Sequence, residues 1–331
     1  MRSTALNKLI LFVANTQLIK KDFIWQDTLT KRLAALLYAQ EGRAVDCEAI
    51  KQCHSLIKQN NNVFSAFRGN MALCLATLFS LSPDSQKLFE ETKKVYELLK
   101  EAKFHASDYL VIAAFQIAAH ADSSDYENVV SRMRTFYDRM KALHFFHTGQ
   151  DDYVFTAMLG LSDLDTDIGT EYIEQLYQQL KGEFWAKNSI QALAQVLVLG
   201  SSDEQTVNRI VALRDAFREQ KIMMDKTYTL PFLGILALMP AEIDSIVRDI
   251  AESQSILREQ KGFGSLSVTK QELLLFAASF IASEYTQNVK DGLLTATLST
   301  NIINLMIAQQ VAMIAAISAS HAAVAASSSS S

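Results

Sequence analysis

The chain reads as all-α: a helical-hairpin stack resembling an α-solenoid, with an extra N-terminal helical region and a long apolar C-terminal helix. Three observations predict this. Turn-formers are scarce, with 11 Gly and 3 Pro in 331 residues, and β-rich folds consume many of both. Apolar residues recur at helical spacing from Ser107 to Phe145. That two-helix unit then returns at intervals of 37 to 44 residues along the chain, the mark of an architecture in which each unit buries its apolar face against the next.

From the N-terminus, residues 1–62 read as a helical region with helices from about Thr4 to Leu18, Gln26 to Ala39 and Cys47 to Gln59. Asp27 and Asp46 stand near the starts of the second and third, where a carboxylate satisfies free backbone donors. The run Asn60-Asn61-Asn62 closes the region. Residues 63–266 then form the hairpin repeats. In the best-formed hairpin, Leu110, Ala113, Ala114, Ile117 and Ala118 share one helix face behind a Ser107 N-cap. Ser124 to Glu127 fits a capping box that opens the second helix, on which Tyr126, Val129, Val130, Met133, Tyr137 and Met140 form the apolar stripe.

Basic residues end the second helix of each hairpin at Lys100, Lys141, Lys181, Arg218 and Arg258, and first helices begin near Tyr109, Tyr153, Ile190 and Tyr228. The turns between them are rich in Ser, Asp and Pro, as at Pro83, Ser162 to Asp167, Ser202 to Gln205 and Pro240. Pro231 falls at the start of a helix, where a missing N–H costs nothing. Gly262-Phe263-Gly264 reads as a helix C-cap. Residues 267–321 continue as C-terminal helices packed on the stack, the first over Val268 to Ser283, and residues 322–331 as a disordered Ala/Ser tail.

The stretch from Gly292 to Ser331 carries no Asp, Glu, Lys or Arg. Ile302 to Ser320 has the length of a membrane span, but Asn304, Gln309 and Gln310 would need partners in lipid and no cation flanks the C-terminal side. A helix packed on the stack or against a second copy of the chain is the preferred reading. At the N-terminus, Leu9 to Ala14 is too short for a secretory signal core and lacks a cleavage site. Cys47, Cys53 and Cys74 are odd in number and lie on apolar helices, which suits reduced thiols in a cytoplasmic protein. A net charge of −5 and a pI near 5.7 argue against nucleic acid as a partner, because phosphate binding needs clustered cations.

Phe67-Arg68-Gly69-Asn70, Ser162-Asp163-Leu164-Asp165, Lys261-Gly262-Phe263-Gly264 and the Ala/Ser-rich end after Gln309-Gln310 together resemble a family of bacterial helical proteins catalogued only as a domain of unknown function. The resemblance covers nearly the whole chain. It implies a bacterial, mainly helical, cytoplasmic protein and supplies no activity or catalytic residue.

Candidates for chemistry are few. Asp163 to Glu174 places acids at calcium-loop spacing, with Asp163, Asp165, Asp167 and Glu174 as the ligand set. Ile168 occupies the position that needs Gly, and the equivalent turns are also acidic, so a capped helix start is the preferred reading. Cys47, Cys53 and His54 miss zinc spacing, and His144 with His147 reads as a helix end. Gly69 inside a predicted apolar helix demands a reason, either close packing or Arg68 and Asn70 projecting into a groove. No nucleophile turn and no pair of His around a Glu is present.

The expectation is a non-enzymatic protein- or peptide-interaction scaffold without a cofactor, with Arg68, Asn70, Tyr109, Tyr153 and Tyr228 as candidate binding residues. The C-terminal helix is a candidate surface for homo-oligomer formation. The alternatives are a metal-binding or enzymatic module at the acidic turn and a membrane-associated protein using the uncharged C-terminal helix.

Overall fold

The computed structural model of the chain describes residues 3–62, 65–200 and 204–287. These contain fourteen α-helices, two short 3-10 helices and no strand. They divide into two compact units, one of residues 15–38 and 44–163 and the other of residues 3–14, 39–43 and 164–287. We call them the N-half and C-half units. The uncharged segment expected to form the long C-terminal helix, Ile302 to Ser320, lies outside the described residues, as does the start of the Ser202 to Gln205 turn.

The N-half unit holds the end of α1 (Ser3–Asp22), most of α2 (Thr28–Gln40) and six further helices: α3 (Cys47–Gln59), α4 (Ala72–Leu81), α5 (Ser85–Glu101), α6 (Asp108–His120), α7 (Tyr126–Leu143) and α8 (Tyr153–Leu161). Two kinds of helix alternate. In α4, α6 and α8 the central residues are buried all round: Ala72 to Phe79, Leu110 to Ile117 and Tyr153 to Gly160. In α3, α5 and α7 only one stripe is buried, such as Phe89, Thr92, Val95, Tyr96 and Leu99 on α5. Helices of ten or fewer residues, such as α4 and α8, are marginal in isolation, so burial by their neighbours is what holds them.

This alternation shifts the pairing by one helix from the expected hairpin. Ser107 to Phe145 places α6 against α7, whereas α6 packs chiefly on α5 and α8, and α7 on α8. The reason is that α6 has no polar face to turn outward and must be covered from several sides. The Ser107 cap forms, its side chain accepting from Leu110 N–H at 3.2 Å. The capping box at Ser124 to Glu127 does not: Asp125 is the N-cap and makes no side-chain cap bond.

In the C-half unit, α9 (Thr166–Leu180), α11 (Glu204–Glu219) and α13 (Ile243–Glu259) alternate with α10 (Lys187–Leu199), α12 (Leu230–Ala237) and α14 (Lys270–Gln287). Leu230 to Ala237 is buried throughout, with Pro231 in the first turn. Phe12 of α1 sits among Phe263, Phe276 and Phe280, with ring centroids 5.2 to 5.5 Å apart. Gly262, at φ 90°, makes the turn that directs Phe263 into this cluster. The preceding helix is capped two residues earlier, at Gln260.

The same contacts recur in the two units. Arg132 on α7 donates to the carbonyls of Gly160 (3.1 Å) and Ser162 (2.7 Å) at the end of α8. Arg209 on α11 donates to Ala237 (2.9 Å) and Met239 (3.0 Å) at the end of α12, and also to Ala241. Both sets lie 28 and 30 residues downstream of their arginine. Each guanidinium satisfies carbonyls that a helix end leaves without partners. Similarly, Arg134 stacks on Phe104 at 4.8 Å and Arg214 on Phe184 at 5.5 Å. The helix-ending turns also match. Phe104 N–H bonds to Leu99 O and Lys103 N–H to Lys100 O, and Ile222 repeats this with Phe217 and Lys221 with Arg218. These are Schellman turns, with Lys103 and Lys221 at positive φ, 67° and 57°.

Candidate functional site

The residues singled out in the sequence do not gather in one place. Tyr153 is buried (1% exposed) between Phe104 and Tyr137, and its hydroxyl accepts from His105 N–H at 3.3 Å, so its ring serves the core. Tyr109 and Tyr228 are half-buried and belong to different units. Arg68 ends the 3-10 turn Ala66–Arg68, and Asn70 is exposed beyond it.

The expected continuous helix through Gly69 is in fact a break before α4, and the reason is Asp108. Its carboxylate accepts from the backbone N–H groups of Asn70 and Met71, capping α4 from the neighbouring α6. A Cβ at Gly69 would collide with Asp108 Oδ1. Burial nevertheless raises the Asp108 carboxyl above its ordinary value, against the lowering effect of these two bonds. This motif is a joint between helices.

The acidic turn is also spent locally. Thr166 to Glu174 lie in α9, where the residues of a calcium loop would have to curl around an ion. Asp165 Oδ1 caps that helix, accepting from Asp167 N–H (2.9 Å) and Ile168 N–H (3.1 Å). Among the described residues no three His, Cys, Asp or Glu side chains are grouped to hold a metal ion. Burial pushes the Cys47 thiol up to about 11, aided by Asp22, and raises Cys53 and Cys74 as well, so all three are held as thiols.

The C-half unit contains a cleft that spacing along the chain does not reveal. Two adjoining cavities, of about 490 and about 390 Å³, share Met223 and Lys226. The larger is lined by Lys221, Lys226, Arg258 and Lys270 together with the apolar Ile222 and Leu274. Among the described residues no carboxylate pairs with Lys221, Lys226 or Lys270. The smaller is walled by Phe184, Trp185, Arg218 and Asp225. Trp185 is 97% exposed, an apolar ring left in water beside a concave surface.

The loop between α11 and α12 builds this cleft because its side chains alternate. Lys221 turns out at its positive φ, Ile222 and Met224 turn in, and Met223 and Lys226 turn out. The loop is pinned at three points. Arg218 Nε donates to Asp225 Oδ2 at 3.1 Å, Ser189 Oγ to Thr227 O at 2.9 Å, and Lys226 N–H to Thr229 Oγ1 at 3.2 Å. On the facing loop, Arg214 holds Glu183 through its carbonyl (3.1 Å) and carboxylate (2.8 Å), which fixes Phe184 and Trp185 in place. The site is therefore preorganised, cationic on one side and aromatic on the other.

A family model described as "Protein of unknown function (DUF4003)" matches residues 15–312. The chain belongs to this family. No curated protein and no solved structure matches it. The matched span includes the Gly69 joint and every residue of both cavities, so the cleft lies within the family's own domain. Among the described residues no helix is long and apolar enough to cross a membrane.

Proposed function

We propose that this protein is a non-enzymatic interaction scaffold that binds an acidic peptide segment of a partner protein in the C-half cleft. The observation that carries this reading is the pairing of unneutralised Lys221, Lys226 and Lys270 with the exposed Trp185 across two joined cavities. A chain of net charge −5 that gathers cations in one concavity favours an anionic ligand there. Trp185 and Met223 give that ligand an apolar anchor, and tryptophan is enriched at energetically dominant interface positions. The recurrent arginine caps and Schellman turns support an α-solenoid-like repeat as the scaffold. Three free thiols fit a cytoplasmic setting.

The test uses Trp185 as its own reporter in a Trp25→Phe chain, which leaves one tryptophan. A capped seven-residue peptide with one central Leu flanked by Glu should shift its fluorescence saturably, and the affinity should fall as salt rises from low to physiological strength. The same peptide with Lys for Glu should leave the signal unchanged. Equal binding of both peptides, or of neither, overturns the reading.

A further inference from the structure

Resting on that reading of the cleft, we infer that its acidic partner is a second copy of this chain, which inserts the start of its own α9 and so builds a head-to-tail assembly. The first turns of α9 carry the chemistry that the cleft asks for. Ile168 is 65% exposed, an apolar side chain in water. Asp167 beside it and Glu171 one turn on are exposed as well. Residues three apart on a helix are neighbours, so Ile168 and Glu171 share a face. No Lys or Arg occurs from residue 142 to residue 180. Every other exposed large apolar side chain among the described residues lies within five positions of a Lys or Arg. Ile168 thus stands apart as an apolar group set among acids, the counterpart of Trp185 and Met223 set among cations.

The two surfaces stand at opposite ends of α9. The cleft is built from the C-terminal ends of α9, α11 and α13 and the loops that follow them, whereas Ile168 lies in the first turn of α9. With 15 residues, α9 holds its ends about 22 Å apart at 1.5 Å per residue. The acidic corner of a copy therefore cannot reach its own cleft, but it can reach the cleft of another. In that contact Ile168 meets Trp185 and Met223, and Asp167 and Glu171 meet Lys221, Lys226 and Lys270. Opposite potentials on the two surfaces favour this register and disfavour corner against corner or cleft against cleft. Because the two surfaces differ, each added copy presents a fresh corner and a fresh cleft, and the assembly continues past a dimer.

Sedimentation velocity of the full chain over a concentration series tests this. At low salt the weight-average mass should rise past that of a dimer, and the association should weaken as salt rises. Ile168→Ser should raise the association Kd about tenfold or more, as expected for an apolar side chain no longer taken out of water. Lys226→Gln with Lys270→Gln should weaken association from the other side. All three positions are exposed, so the folded chain tolerates the changes. The deciding measurement mixes the two impaired chains near the Kd of the parent. Ile168→Ser keeps an intact cleft and the double Lys variant an intact corner, so each alone should stay monomeric while the mixture forms a 1:1 heterodimer and goes no further. Association that neither variant weakens, or a mixture that stays monomeric, overturns the inference. A parent chain that is monomeric at every concentration and salt also overturns it, but leaves the reading of the cleft intact if the Glu and Leu peptide still shifts the Trp185 fluorescence. If neither that peptide nor a second copy binds, the reading of the cleft falls and this inference with it.

Discussion

Asp108 in the N-half unit and Asp225 in the C-half unit are both largely buried carboxylates beside a turn, yet they do different things. Asp108 accepts from two backbone N–H groups at the start of α4, and Gly69 lies so close that a Cβ there would collide with its carboxylate. Asp225 gives one oxygen to Arg218, and its other oxygen is buried without a hydrogen-bond partner. The first holds two helices together and the second pins its own loop through Arg218. Burial alone does not say what an acid holds in place; the partner of each oxygen does.

The largest expected effect tests the structural member of the pair. Asp108→Ala strips the partner from Asn70 and Met71, and should cost about 2 kcal/mol of unfolding free energy by urea denaturation. Gly69→Ala should fall in the same direction through the clash with Asp108. Neither should alter peptide affinity. Asp225→Ala should cost less than about 1 kcal/mol of stability, because its ion partner Arg218 is 43% exposed and stays solvated. Equal stability losses in the Asp108 and Asp225 variants would erase the distinction.

A third, smaller effect concerns pH. The folded-state carboxyl of Asp108 titrates above the ordinary value of 3.8, so the proton-linked part of its stability is fully present below the unfolded value and is lost as pH rises through the folded one, while the part resting on its two backbone bonds remains. Asp138 has the opposite sign, because the Arg134 bond and charge hold it below the usual carboxylate range. Its contribution is present above the unfolded value and is lost as pH falls through the folded one. Denaturation midpoints measured from pH 3 to pH 6 should therefore diverge in opposite directions between the parent chain and Asp108→Asn or Asp138→Asn. Matching slopes in the two variants would refute the assignment. Smallest of all, Lys226→Ala should weaken peptide binding by about 0.2 to 1 kcal/mol, roughly twofold to fivefold, at low salt and by less at high salt. A salt-independent loss would mean that Lys226 acts through packing of its stem.

Much of the helical layout was legible in the residues. Asp27, Asp46 and Ser107 cap the helices that their positions announced. Lys100, Lys141, Lys181, Arg218 and Arg258 fall at or next to helix C-termini, as the recurrence required. The misses have identifiable causes. Ser124 to Glu127 has capping-box composition, but the helix begins at Tyr126 with Asp125 as N-cap, so the pattern is out of register. Phe67 to Asn70 sits in an apolar run, and only the arrival of Asp108 from another helix breaks it. Tyr153 marked a helix start correctly, but its ring went to the core because Phe104 and Tyr137 meet it there.

The candidate site was legible only in fragments. Trp185 beside Phe184, and an Asp between Met224 and Lys226, are locally unremarkable. Lys221, Lys226, Arg258 and Lys270 are scattered over fifty positions and belong to three helix ends and a loop. What the sequence by itself determined is the helical class, the caps and the rhythm of helix ends, because each depends on residues within a turn or so of one another. What only the tertiary structure decided is which helices pair, why Gly69 interrupts a helix, and that four separated cations line one cavity beside another walled by Phe184 and Trp185. Those outcomes depend on which faces meet when apolar helices are covered from all sides, and that is set by packing between distant segments.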